Sequence, residues 1–196
     1  MMRKAQIKRK TKETDVFVSI DLDGKGISDI NTGVGFLDHM LELFAFHGQF
    51  DLSVTCHGDL QVDSHHTIED IGIALGKSIK EALGDKKGIH RYGSFTIPMD
   101  ETLLSVCLDM SNRPYLVFNV CLDNVLLGNY QTEMTEEFFR ATAFNAGMTL
   151  HINEHYGKNM HHIIEACFKA FARALKEAVS IDRQRKDEII SSKGVL

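Results

Sequence analysis

Ten of the 196 residues are histidine, and four of them fall in a pattern that metal chemistry uses. His65-His66-Thr67-Ile68-Glu69 returns 96 positions later as His161-His162-Ile163-Ile164-Glu165. On a helix, residues i and i+4 share a face, so His65 aims with Glu69 and His161 with Glu165. His66 and His162 are turned about 100° from their neighbours and aim elsewhere. Two copies facing one another make two sites, each taking a His/Glu pair from one half and the odd histidine from the other. The repeat offers a fourth ligand to each: His39, and its counterpart Glu137 98 positions later. The expected sets are His39, His66, His161 and Glu165 at one metal, and His65, Glu69, Glu137 and His162 at the other. Mixed imidazole and carboxylate sets suit Mn, Fe, Co or Zn. A lone His-His pair reads as a surface or capping feature, but recurrence with Glu at the same offset argues for ligands. The spacing is not His-Glu-x-x-His, so a zincin protease is not supported.

The elements that carry these residues also repeat. Glu13-Thr14 precedes the alternating run Val16, Val18, Ile20, and Glu101-Thr102 precedes Leu103–Leu108, 88 positions on. Phe36-Leu37-Asp38-His39 opens a helix reaching Ala45-Phe46-His47-Gly48, with Gly48 as its C-cap. Its partner runs from Thr135-Glu136-Glu137-Phe138 to Ala143-Phe144-Asn145. Each histidine pair opens a run of helical period: Ile68, Ile71, Leu75, Ile79 and Ala82, then Ile164, Phe168, Phe171, Leu175 and Val179. Each half thus reads as strands, helix, strand, then the histidine pair on a second helix. An internally duplicated α+β fold is expected, with a mainly antiparallel sheet packed with helices. Strands are expected at Val16–Leu22, Leu52–Cys56, Phe95–Ile97, Leu103–Leu108, Tyr115–Cys121 and Thr149–Ile152. The halves of this single 1–196 domain, about 1–90 and 91–196, meet near Gly84–Tyr92.

Composition excludes several classes. Hydrophobic and charged contents of 43% and 25% are those of a soluble globular protein. A net charge of −5 gives no reason to expect nucleic-acid binding. No apolar run approaches the ~20 residues that span a bilayer. The basic start, Met1 to Lys12, is not followed by an apolar signal core, so a cytoplasmic protein is expected. The four cysteines, 56, 107, 121 and 167, form no Cys-x-x-Cys pair and are expected to be buried, reduced thiols.

At these residues the sequence resembles the imidazoleglycerol-phosphate dehydratase family, from about Arg9 to Leu196. The resemblance lies in Lys12-Glu13-Thr14, Gly35-Phe36-Leu37-Asp38-His39-Met40-Leu41, His47-Gly48 and the two His-His-x-x-Glu motifs. It continues in Asn112-Arg113-Pro114-Tyr115, Gly147-Met148-Thr149-Leu150-His151 and Ser191-Ser192-Lys193-Gly194-Val195-Leu196. It implies halves like the second domain of ribosomal protein S5, two Mn²⁺ per active site and a hollow homo-oligomer of 24 subunits with shared active sites. Two positions depart from the family pattern: many relatives have His at Glu137, and Ser-Gly-Arg-Pro is common where Asn112 precedes Arg113.

The reaction so implied, in histidine biosynthesis, dehydrates imidazole-glycerol phosphate to imidazole-acetol phosphate. The C2 proton has no adjacent carbonyl to acidify it, so loss of the C3 hydroxyl needs electron push from an imidazolate through a diazafulvene-like intermediate. The resemblance places Glu13 at the substrate, as the base for C2. His47 is the second candidate, eight residues from His39 and on the same face; His39 also borders the substrate. Arg91 and Arg113 match the family's substrate-binding arginines, and guanidinium forks suit phosphate. Ser191, Ser192 and Lys193 match its tail, where hydroxyls, an ammonium and N–H groups can cradle an anion. His57, His90 and His155 read as loop or surface residues, and His151 falls on a strand without assigned chemistry. Two other readings use the same ligands: a dinuclear hydrolase of a small phosphorylated substrate, which needs no tail clamp, and a metal-stapled assembly protein with closed sites.

Overall fold

The computed structural model describes residues 3–196, so Met1 and Met2 lie outside the described residues. The first sheet contains β1 (Lys4–Lys10), β2 (Thr14–Asp21), β3 (Ser28–Asn31) and β4 (Asp51–Gly58) in the order β1-β2-β4-β3. The second contains β5 (Tyr92–Met99), β6 (Thr102–Asp109), β7 (Tyr115–Asn119) and β10 (Thr149–Tyr156) in the order β5-β6-β10-β7. Both are antiparallel except at one edge, where β3 runs parallel to β4 and β7 parallel to β10. A short hairpin, β8 (Leu126–Leu127) and β9 (Tyr130–Gln131), is inserted after β7. The helices are α1 (Gly35–Gly48), α2 (His65–Leu83), α3 (Met134–Ala146) and α4 (Met160–Val179).

Period-two alternation sends one side of each sheet inward. Val16, Val18 and Ile20 of β2 face Cys56, Val54 and Leu52 of β4, all buried. Val106 and Leu108 of β6 face Ile152 and Leu150 of β10 in the same way. α2 covers the first sheet and α4 the second, while α1 packs on α4 and α2 on α3. The helices therefore lie between the sheets, and each half lends a helix to the other. Phe44 of α1 stacks on Phe171 of α4, with ring centroids 5.5 Å apart. α2 meets α3 backbone to backbone: a Cβ on Gly76 would stand 2.5 Å from the Thr142 carbonyl oxygen.

Several expectations change in detail. β1 and β3 were not legible in the sequence. β1 is a sheet edge that turns Ala5, Ile7 and Arg9 inward, Arg9 onto buried Asp70, and its lysines face solvent, as edge strands require. β2 runs Thr14–Asp21, and β7 stops at Asn119, leaving Cys121 outside it. Cys56 and Cys167 are buried, but Cys107 and Cys121 are exposed; Cys107 sits on the outward phase of β6. His57 and His155 lie in strands β4 and β10, at exposed positions, rather than in loops. The residue in the left-handed region after α1 is Gln49 (φ 54°), not Gly48. Gly48 is needed because a Cβ there would meet the Phe50 ring at 2.3 Å.

Candidate metal and phosphate sites

Both histidine pairs open a helix directly behind an Asx side chain. The Asp63 carboxylate accepts from the His65 N–H at 2.8 Å, and Asn159 Oδ1 from the His161 N–H at 2.9 Å. These two residues are themselves 96 positions apart. The cap satisfies an otherwise orphaned helix donor and fixes where the first turn begins, and hence which way each imidazole leaves the helix.

Three donors converge from two helices. His39 of α1 and His161 and Glu165 of α4 offer ligand atoms that all lie within 4.8 Å of one another. Glu165 Oε2 is 3.2 Å from His161 Nε2 and 3.8 Å from His39 Nε2. The edge of the Phe36 ring meets His161 at a centroid distance of 4.9 Å, and Phe36 packs in turn on buried Tyr130. Burial is the largest single influence on the Glu165 carboxyl and works to raise it, but the bond to the Lys169 ammonium together with the charges of Lys169, His161 and His39 holds it below the usual carboxylate value. Two nitrogens and an ionised oxygen at this spacing fit a divalent first-row ion.

The other expected ligands are not gathered in the same way within one chain. His65 Nε2 lies 3.8 Å from Glu69 Oε2, both half-exposed. Glu137 Oε1 is 3.3 Å from Arg140 Nε, and Glu136 pairs with the same arginine. His66 and His162, the odd members of each pair, point to carboxylates, of which the sequence had singled out Glu13 but not Asp59 or Asp100. His66 Nδ1 is 3.1 Å from Asp59 Oδ2, and its Nε2 is 3.9 Å from Glu13 Oε1. His162 Nδ1 is 2.7 Å from Glu101 Oε2, and its Nε2 is 3.9 Å from Asp100 Oδ2. The hydrogen bonds to Asp59 and to Glu101 raise both imidazoles above their ordinary pKa. Glu101, bonded to His162 and to the Asn159 N–H, is pushed down to about 2.

His47 lies two turns beyond His39 on α1. Burial, then the nearby charges of Lys169 and Arg173, push its pKa down, so it is a neutral base at pH 7. Lys169 escaped the sequence reading, although it stands four residues beyond Glu165 on the same face of α4.

The phosphate candidates meet at the other end of the second sheet. Arg91, Ser191 and Ser192 line one cleft of about 440 Å³, together with Tyr92, Arg185 and Ile190. Arg91 is held by a fork on Asp109 (2.7 and 3.1 Å) and donates to the Ile190 carbonyl at 2.7 Å, which draws the tail in. Arg113 reaches the same Asp109 carboxylate at 3.4 Å. Lys193 is exposed, its N–H donating to Ser191 Oγ. Asn112 adopts a left-handed φ of 58°, a conformation Asn tolerates better than most residues. Its side chain accepts from Lys86 at 2.8 Å and donates to the Leu196 carbonyl at 2.9 Å.

A model of the family "imidazoleglycerol-phosphate dehydratase" matches residues 32–175. The chain belongs to this family. It is 65% identical to the imidazoleglycerol-phosphate dehydratase of Lactococcus lactis subsp. cremoris, over all of this chain and 98% of that one. It is 60% identical to the enzyme of Acetivibrio thermocellus over the full length of both. The crystal structure of the Staphylococcus aureus dehydratase superposes with a TM-score of 0.83 at 47% identity, covering 91% of this chain and 99% of that one. That of Pyrococcus furiosus gives 0.83 at 37% identity, covering 97% and 100%. The α+β fold is therefore the dehydratase fold. The chain is a hydro-lyase, an imidazoleglycerol-phosphate dehydratase by family, acting in histidine biosynthesis on a small phosphorylated substrate. No helix among the described residues is long and apolar enough to cross a membrane.

Proposed function

We propose that this dehydratase converts imidazole-glycerol phosphate to imidazole-acetol phosphate at a dinuclear Mn²⁺ site completed between subunits. The observation that carries the reading is the convergence of His39, His161 and Glu165 from separate halves of the chain. Three of the four side chains read as ligands of one metal lie together, and the fourth, His66, turns to Asp59 and Glu13 instead. A second subunit supplies His66 here, and His65 with Glu69 joins Glu137 and His162 at the other metal. A homo-oligomer, of 24 subunits as the family resemblance implies, and a cytoplasmic location belong to the same reading. So does one domain, 1–196, built of halves of about 1–90 and 91–196.

Bound at these ligands, the two ions supply Lewis acidity that favours the imidazolate form of the substrate ring. The chain's own groups do the rest. Arg91, Arg113, Ser191, Ser192 and Lys193 hold the phosphate and fix where the carbon chain lies. Glu13 removes the C2 proton, with His47 as the second candidate for that base, and the proton and the C3 hydroxyl leave together as water. His39 borders the substrate as well as the metal. The test is an assay of metal-stripped protein with imidazole-glycerol phosphate, following the ketone product. No turnover without metal and recovery with Mn²⁺ are expected; full turnover in rigorously metal-free protein would overturn the reading.

A further inference from the structure

His66 and His162 make the same contact through unrelated residues. Each places Nδ1 on a carboxylate, Asp59 at 3.1 Å and Glu101 at 2.7 Å, and each leaves Nε2 facing away from it. An imidazole whose Nδ1–H donates to a carboxylate is held in the tautomer that presents the Nε2 lone pair, and its ring can no longer rotate freely. Neither carboxylate is needed as a ligand in the sets above. The two are not copies of one another. The position 96 residues beyond Asp59 is His155, whereas Glu101 stands 88 residues beyond Glu13. Glu13 and Glu101 thus hold equivalent places, each just before the corresponding strand of its sheet, β2 and β6, yet they make different contacts. Glu101 accepts from His162 Nδ1 and from the Asn159 N–H, so it also ties the start of α4. The Glu13 carboxylate lies instead on the Nε2 side of His66, 3.9 Å away, where a ligand would be.

We propose that Asp59 and Glu101 are positioning residues that fix His66 and His162 as Nε2 donors. Asp59, by taking this task in the first half, releases Glu13 to act on substrate. The inference rests on the reading that His66 and His162 are metal ligands and Glu13 the base, and it explains why only one of two duplicated glutamates is a base.

Two readouts test it without relying on turnover. The first is the ¹⁵N–¹H imidazole spectrum of folded, metal-free protein, recorded where the histidines are neutral. His66 and His162 are expected as Nδ1–H tautomers, and Asp59→Asn and Glu101→Gln each to release one of them to a mixture. The second is Mn²⁺ affinity by chelator competition, expected to fall ~10- to 100-fold in each variant, the loss typical of removing such a partner. Asp59→Glu keeps a carboxylate and is expected to restore both signals, which separates orientation from general damage. Glu13→Gln is expected to leave tautomer and Mn²⁺ affinity unchanged while lowering kcat. If Asp59→Asn and Glu101→Gln change neither readout although His66→Ala weakens Mn²⁺ binding, the inference is overturned and the ligand assignment stands. If His66→Ala and His162→Ala also leave Mn²⁺ binding intact, the ligand assignment fails and takes the inference with it.

Discussion

Glu137 spends its carboxylate on Arg140 at 3.3 Å, and Glu136 is bonded to the same guanidinium. Arg140 can thus keep one glutamate while the other turns to a metal. In an Mn²⁺-bound crystal of the assembled protein, a Glu137 oxygen is expected ~2.0–2.3 Å from one ion, within carboxylate ligand distances; a carboxylate still on Arg140 would remove it from the set. At the phosphate end, Arg113 is largely exposed and loosely tied to Asp109, so its charge is available to substrate. Arg113→Ala is expected to cost ~1.5–3 kcal/mol of substrate binding, or ~10- to 150-fold in affinity, with Mn²⁺ binding unchanged. Unchanged affinity for phosphate-bearing ligands would exclude it. For His47, an NMR titration is expected to give a midpoint below the ordinary 6.5. Arg173→Met, by removing a cation that opposes protonation, is expected to move it upward; no movement would remove Arg173 from the cause. Among individual residues, the repeat marked His39, His161 and Glu165 through their spacing, and the fold brings the three together. Asp59 and Lys169 were not legible, since single acids and lysines carry no pattern until the fold brings them to an imidazole or a carboxylate, and for Glu101 the repeat gave a position but no contact.

At the scale of elements, the repeat marked the helices and the central strands, because a buried face imposes its period on the sequence. β1 was hidden because an edge strand needs only one apolar face, and lysines protect the rest. The identical strand orders β1-β2-β4-β3 and β5-β6-β10-β7 give the repeat its physical meaning. In each sheet the same interior strand, β4 or β10, leads into the helix that the histidine pair opens. At the junction of α2 with α3 the two helix backbones approach closely. Gly76→Ala would press a methyl into the Thr142 carbonyl and is expected to destabilise by ~1–3 kcal/mol, as overpacking does. Urea denaturation reads this as a lowered midpoint at an unchanged slope; an unchanged midpoint would mean the helices separate at little cost.

For the molecule as a whole, ligands drawn from different subunits would link metal to assembly. Sedimentation of metal-stripped protein is expected to show a smaller species that Mn²⁺ drives to a large one. A large particle indifferent to metal would contradict that linkage. Within one chain, α1 reaches across to α4, and His39 reaches His161 and Glu165 only because it does. A ribosome releases α1 long before α4. The first half must therefore wait with the inner surface of α1 uncovered until the last helix has emerged. The corner where His39, His161 and Glu165 meet is among the latest contacts that synthesis allows, so a chain truncated before α4 holds His39 without its partners, and an unfinished polypeptide cannot bring these three donors together.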